Sequence, residues 1–252
     1  MGDLPDLRDV EKIVERVLQY VHSFDEMYYF TDHSIFHSRR VLEHVESIIR
    51  ICEINGIPLN EPEKSILKCA CFLHDLGCIR GRKNHALESV RCIHKLCDMG
   101  EGLWLGPIKD HIDYVVHTHS SNGLAIGEVR ATRPVTGFPE KVRLKFLCAL
   151  FKLADECDID KRRVNKPLYH LLEDKMPDTS KQFWQGHERV IFLEFSPDNQ
   201  IVIHLTSEDL DWIADSLKKT LEEIKEIFIE YGFPYTNCRI EYEPYDEVEI
   251  DI

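Results

Sequence analysis

The spacing of apolar residues in the first two-thirds of the chain constrains its fold most strongly. In six segments they recur every three or four positions, as in amphipathic helices that bury one face. Turn-forming residues separate the segments, as at Asn55, Gly56 and Pro58. We therefore predict helices over residues 7–29, 35–54, 63–74, 85–97, 107–119 and 139–158, with a long loop over 120–138.

The pattern changes in the last third of the chain. Residues 189–205 contain two β-rich runs around Ser-Pro-Asp-Asn, which indicates a hairpin. A long amphipathic helix is expected over 207–231 with Ser207 as its N-cap, and a short strand over 238–242. The prediction is a mainly α protein: a helical domain over residues 1–165, followed by a small α+β appendage over residues 166–252.

Composition excludes several classes of protein. The hydrophobic fraction of 43 % suffices for a packed core, and the formal charge of −14 argues against generic binding to nucleic acid or to an anionic membrane. The nine cysteines form no CxxC pair, so we expect reduced thiols rather than a cysteine zinc site. No apolar run reaches membrane-spanning length and the acidic N-terminus lacks a signal pattern, so we expect a cytoplasmic protein.

Polar residues occupy helix positions where the period predicts core. His37, His74, His117 and Asp155 each continue an apolar stripe. Any one alone is most often a hydrogen-bonded core residue or a cap. Several such groups on different helices need a common partner, and a divalent cation is the simplest one. Oxygen and imidazole ligands without cysteine suit Mn, Fe, Co, Ni, Zn or Mg, and one or two ions are expected.

Three separated segments resemble the H…HD…D signature of the HD superfamily of metal-dependent phosphohydrolases. They are HSRRV at 37–41, FLHDLG at 72–77 and LADECD at 153–158. The resemblance covers about residues 30–165. It implies a helical HD-domain bundle with a mononuclear or binuclear metal centre that hydrolyses phosphomonoester or phosphoanhydride bonds.

The resemblance also implies the ligands and the catalytic pair. A first metal would be held by His37, His74, Asp75 and Asp155, with His74 and Asp75 central to catalysis. In binuclear members two further histidines bind, and His85 and His117 match their positions. A bridging role would then fall to Asp75. His119 is the fallback for His117, and His111 a weaker one.

His33, four residues before His37, does not match a family ligand. A role behind the ligands, facing the substrate, or as a helix cap stays open for it, and one of the latter two is favoured. His74 and Asp75, if both are helical, point about 100° apart, so one could bind one metal while the other reaches between two.

Basic residues cluster near these motifs in an otherwise acidic chain. They are expected to bind substrate phosphate, and they are Arg39, Arg80, Arg82, Lys83, Lys152 and Arg163. For each, an ordinary exposed charge is the competing interpretation.

The predicted function is hydrolysis of a nucleotide or related phosphorylated small molecule by metal-activated water. The alternative is a catalytically silent HD domain that senses a ligand or serves as a scaffold. The appendage carries no catalytic constellation, and covering the site, binding a partner or forming a homodimer are its candidate roles.

Overall fold

The computed structural model describes residues 2–23, 27, 29–100, 102–207 and 212–243. They fold into a helical body with a small sheet near the C-terminus, which confirms the predicted fold class. The helices are α1 Leu7–Leu18, α2 Ile35–Ile54, α3 Glu61–Leu73, α4 His85–Asp98, α5 Lys109–Thr118, α6 Leu144–Glu156, α7 Lys166–Leu172, α8 Asp178–Glu188 and α9 Asp215–Tyr231. The strands are β1 Arg133–Pro134, β2 Lys141–Val142, β3 Val190–Phe195, β4 Gln200–Leu205 and β5 Asn237–Tyr242.

Helix α6 lies at the centre of the core. It is buried along almost its whole length and packs against α2, α5 and α9. One continuous apolar core extends from Val10 of α1 to Tyr235 before β5. A smaller cluster of Tyr169, Met176 and Trp184 holds α7 and α8. No helix in the described part of the chain has both the length and the apolar character needed to cross a bilayer.

Strands β3 and β4 form the predicted antiparallel hairpin, and β5 pairs in parallel with β4. Asn199 turns the hairpin in the left-handed region at φ 63°, which asparagine tolerates better than most residues. Parallel pairing requires a long crossover connection, and α9 supplies it between β4 and β5. The appendage thus joins the body mainly through α9 packed on α6, and the domain boundary near residue 165 stays a prediction.

Several helix ends differ from the predicted ones. Helix α1 stops at Leu18, eleven residues before the predicted end at 29. The ring of His22 explains the turn that follows, because Nδ1 donates to the Met27 carbonyl and Nε2 accepts from the His33 amide. Part of the predicted segment, residues 24–26 and 28, lies outside the described residues.

Two later helices begin after their predicted starts. Helix α6 starts at Leu144 rather than Pro139, because residues 141–142 pair with 133–134 as β2 and β1. Helix α9 starts at Asp215 with Ala214 as its N-cap, so Ser207 is not its cap. Residues 208–211 of that predicted helix lie outside the described residues.

A buried carboxylate fixes the start of α6. Glu63, fully buried in the capping box of α3, accepts hydrogen bonds from the backbone amide of Arg143 at 2.7 Å and from its guanidinium Nη2 at 2.6 Å. Arg143 is the N-cap residue of α6. The pair therefore ties α3 to α6, the two helices that carry the HD dipeptide and Asp155.

Replacing Arg143 with alanine is expected to lower the free energy of unfolding by about 3 kcal/mol, because it leaves a buried carboxylate without its charged partner. Urea denaturation measures the change. Arg50→Ala is the control, since Arg50 is exposed and bonds Ser47 of its own helix. Equal midpoints for the two variants would contradict this role of the pair.

Candidate metal centre

Two imidazoles and two carboxylates meet between three helices. His37 comes from the first turn of α2, His74 and Asp75 from the end of α3, and Asp155 from the last turn of α6. The Nε2 atoms of His37 and His74 are 3.0 Å apart. Asp155 Oδ1 lies 3.2 Å from Nε2 of His37 and 3.5 Å from Nε2 of His74. Asp75 Oδ2 lies 3.6 Å and 3.5 Å from the same two nitrogens.

These separations are those of ligands around one ion. Donor atoms about 2.1 Å from a metal are about 3.0 Å apart at right angles and about 3.4 Å apart at tetrahedral angles. The four side chains could therefore bind a single divalent cation.

A second pair of imidazoles lies on the other side of Asp75. Nε2 of His85, from the start of α4, is 2.9 Å from Nε2 of His119, which follows α5. Asp75 Oδ1 is 3.6 Å from His85 Nε2 and 3.9 Å from His119 Nε2. The two oxygens of one carboxylate thus face two different histidine pairs, as a bridging ligand would.

The hydrogen bonds of the four rings fix their tautomers. In each ring Nδ1 faces an oxygen that can only accept: Asp158 Oδ2 for His37, and the carbonyls of Cys71, Arg82 and Val116 for His74, His85 and His119. A proton on Nδ1 leaves the lone pair of a neutral ring on Nε2. Within each pair two Nε2 lone pairs then face each other, an arrangement that needs a proton or a metal ion between them.

The charge around the first pair favours a cation. Burial opposes protonation of His74, but the carboxylates of Asp75 and Asp155 outweigh it and raise the pKa of His74 to about 9. Burial lowers the pKa of His119 to about 3, helped by His74 and His85. A metal bound at the first pair would therefore displace a proton from His74, whereas His119 is already neutral.

The HD dipeptide lies where α3 ends, and this differs from the expectation that both residues are helical. His74 keeps helical angles as the C-cap, but Asp75 has φ −102° and ψ 8° and starts a 3₁₀ turn over Leu76–Arg80. The break directs the Asp75 carboxylate between the two histidine pairs. His33 Nδ1 donates to Asp75 Oδ2 at 2.9 Å, and Cys78 Sγ to Oδ1 at 3.4 Å.

Helix α4 is held tightly against this turn. The Ser89 hydroxyl donates to the His74 carbonyl and accepts from the Gly77 amide at 2.8 Å. A β-carbon at Gly77 would overlap the His85 carbonyl oxygen and the backbone of Ser89. Glycine at this position therefore sets the distance between Asp75 and His85.

Gly77→Ala is expected to destabilise the fold by about 2 kcal/mol and to weaken metal binding at the His85 pair, because α4 must move outward. Thermal denaturation and a Mn²⁺ titration measure the two effects. Gly127→Ala is the control, since a β-carbon there meets no atom within 4 Å. Unchanged metal affinity in Gly77→Ala would count against the close approach.

His33 lies behind the ligands, one of the roles left open for it, and Ser34 is the N-cap of α2. His33 belongs to a group with His37 and Asp75 in which one donor atom of each residue lies within 4.8 Å of the others. It therefore orients the central carboxylate, and it is a further candidate ligand.

The sequence prediction missed two residues behind His37. Asp158 Oδ2 accepts from His37 Nδ1 at 2.6 Å, and Arg40 Nε donates to Asp158 Oδ1 at 2.8 Å. Arg40 also bonds Asp32 at 3.0 Å. Both could have been found from spacing, because Arg40 and Asp158 each follow a predicted ligand by three positions.

Of the alternatives near α5, His119 is the histidine that lies beside His85. His117 is half-buried, and it belongs to none of the potential metal-binding groups found among the described residues. His119 is buried beside His85 and groups with His74 and Asp75. His111 faces away, with Nε2 at 3.2 Å from the Pro134 carbonyl.

Arg82 and Arg163 lie closest to the site among the six basic residues predicted there. Arg82 Nη1 is 3.5 Å from Asp75 Oδ1, and its side chain is 38 % exposed. Arg163 donates to the backbone carbonyls of Asp158 and Asp32. Arg80 is exposed and pairs with Glu88, and Lys83 is exposed in the same loop.

The other two basic residues form ion pairs with glutamates away from the site. Arg39 pairs with Glu11 and Glu15 of α1. Lys152 is buried, and its ammonium donates to Glu223 of α9 at 2.6 Å. Their predicted substrate contacts are not supported, because each charge is taken up by a glutamate on another helix.

A cavity of about 760 Å³ adjoins the site behind His37. Arg40, Asp32, Arg163, Phe30 and Trp184 form part of its wall. None of the candidate metal ligands is among the described residues that line this cavity.

Comparison with known families identifies an HD-type domain. The model of the HD-CE family, an HD-type domain, matches residues 24–227, about four-fifths of the chain. The match includes every residue of the two histidine pairs and continues through most of α9. No match was found among curated proteins. The extent of the family match shows that the chain belongs to the HD-CE family.

Proposed function

We propose that this protein is a metal-dependent phosphohydrolase with a binuclear centre. The ligands of the first ion are His37, His74, Asp75 and Asp155, and those of the second are His85, His119 and the shared Asp75. The reaction is hydrolysis of a phosphoester or phosphoanhydride bond in a nucleotide or related phosphorylated small molecule.

One observation carries the proposal. Four buried imidazoles bring their Nε2 atoms together in two pairs, and the carboxylate of Asp75 lies between the pairs with one oxygen toward each. Uncompensated buried polar groups are costly, so this arrangement is best explained by bound cations.

Different side chains would bind the ions, orient the ligands and contact the substrate. When bound, the ions would lower the pKa of a water molecule so that hydroxide is available near neutral pH. The hydrogen bond from His33 and the Asp158–His37 bond keep the ligand atoms oriented. The partly exposed guanidinium of Arg82 lies at the bridging carboxylate, where it can pair with a phosphoryl oxygen of the substrate.

The complete ligand set is the argument against the silent scaffold. A domain without catalysis would have no need for a carboxylate shared between two histidine pairs. A hydrolysis screen against nucleotides, cyclic dinucleotides and phosphomonoesters with Mn²⁺, Mg²⁺, Ni²⁺ and Co²⁺ tests the activity and identifies the substrate.

His119 and His117 offer a matched test of the second site. His119→Gln is expected to bind one equivalent of Mn²⁺ less than the parent, because the second ion loses an imidazole ligand. His117→Gln, two residues away, is expected to bind as the parent does. Titration calorimetry with elemental analysis measures the stoichiometry. The reverse result would restore His117 as the ligand, and no Mn²⁺ binding by the parent would favour the scaffold.

A further inference from the structure

A second group of potential ligands lies on the C-terminal sheet, far along the chain from the HD motifs. His204 is on the central strand β4, and Glu241 is its registered neighbour on β5. One donor atom each from His204, Glu241 and Glu243 lies within 4.8 Å of the other two. Glu194 of β3 adds Oε1 at 3.6 Å from His204 Nε2.

The sheet register places these residues on one face. His204 pairs with Phe192, so Glu194, two residues along β3, shares the side of His204. Glu243, two residues after Glu241, is anchored through its amide to the Leu205 carbonyl at 2.9 Å. Three carboxylates from two outer segments thus surround one imidazole.

The imidazole is buried and has an unused nitrogen. His204 is 5 % exposed, and the ring of Phe192 stacks on it at 4.0 Å. Nδ1 bonds Glu243 Oε1 at 2.8 Å, so it carries the proton. Among the described residues Nε2 has no hydrogen-bond partner. The Glu194 carboxylate lies close to it, with Oε1 at 3.6 Å.

This is the arrangement of a histidine ligand whose other nitrogen is fixed by a carboxylate. A lone pair beside an anion is unfavourable unless a proton or a metal ion lies between them. The local charge also favours a bound cation. Arg239 donates to Glu241, but it also pairs with Asp198, so its single positive charge is shared between two carboxylates. A divalent ion would compensate the remaining carboxylates.

We propose that His204, Glu194 and Glu241 bind a divalent transition-metal ion, with Glu243 orienting the imidazole. One nitrogen and two carboxylate ligands suit Zn²⁺ and exclude a dedicated Ca²⁺ or Mg²⁺ site, since those ions prefer all-oxygen ligands. The ion would join all three strands of the sheet. This inference is independent of the proposed hydrolase function.

Zn²⁺ titration of the full chain tests it. The parent is expected to bind one equivalent of Zn²⁺ more than His204→Gln. His170→Gln is the control, since His170 is an exposed histidine that also lies beside a glutamate, Glu173. In an Asp75→Ala background, the extra equivalent should persist and disappear only when His204→Gln is added, which separates this site from the HD centre.

Two further variants keep the test decisive if His204→Gln fails to fold. Glu194→Gln and Glu241→Gln are each expected to weaken Zn²⁺ binding at this site by about tenfold or more. If His204 is simply protonated and paired with the glutamates, Zn²⁺ stoichiometry and affinity will match the parent in every variant, which overturns the proposal. Displacement of Zn²⁺ by equimolar Ca²⁺ would likewise rule out the imidazole as a ligand.

Discussion

Asp75→Ala is expected to reduce metal-dependent hydrolysis by roughly 10³-fold or more, the largest effect of any single substitution in this chain. Among the described residues, Asp75 is the carboxylate with one oxygen toward each histidine pair, so its loss is expected to weaken both metal sites. Without bound metal the pKa of the attacking water would rise far above 7, which would remove the nucleophile at neutral pH. The hydrolysis rate with saturating Mn²⁺, on the best substrate of the screen, measures the loss.

Asp110→Ala is the matched control for this prediction. Asp110 is also an aspartate near a helix end, but its side chain is 64 % exposed and it pairs only with Arg133 in the described contacts. We expect its rate to equal that of the parent. If Asp75→Ala remained folded by circular dichroism and hydrolysed the substrate as fast as Asp110→Ala, the binuclear mechanism would be wrong.

Asp158→Asn is expected to weaken the first metal site by about 10-fold to 100-fold, although Asp158 is not a ligand. The substitution removes the negative charge that Arg40 and the Nδ1–H of His37 share. An amide also permits the other ring tautomer, with the proton on Nε2 where the metal would bind. The apparent Kd for Mn²⁺, measured by titration calorimetry, reports the change.

Asp160→Asn provides the comparison, because Asp160 caps the next 3₁₀ turn and pairs with Arg162. It should leave the Kd unchanged. An Asp158→Asn protein with the stability and metal affinity of Asp160→Asn would show that the Asp158–His37 bond does not position the ligand.

The helical body and the hairpin were predictable because their apolar periods are long and regular. Helix α2 has the predicted bounds, and β3 and β4 lie within the predicted hairpin. The short helices α7 and α8 were not predicted. They depend on packing around Tyr169 and Trp184, which local sequence does not reveal.

The sequence could predict those site residues that lie on the buried faces of helices. His37, His74 and Asp155 each follow an apolar stripe, and they meet as the faces of α2, α3 and α6 meet. His119 could have been chosen over His117, because Ile112, Val115 and His119 are three and four residues apart on one face of α5.

The contacts of long basic side chains were harder to predict from the sequence than the candidate metal ligands. Arg39 is near His37 in sequence, yet its guanidinium pairs with glutamates of α1. The partner of a long flexible side chain depends on which charges tertiary packing brings within reach, and spacing along one helix does not show that.

The most direct test of the central claim is an anomalous difference map from crystals of the full chain grown with Mn²⁺. The account predicts two peaks on either side of the Asp75 carboxylate. One should lie about 2.1–2.2 Å from Nε2 of His37 and His74, and the other at the same distance from Nε2 of His85 and His119. A map with no peak within bonding distance of Asp75, from crystals that bind Mn²⁺ elsewhere, would contradict it.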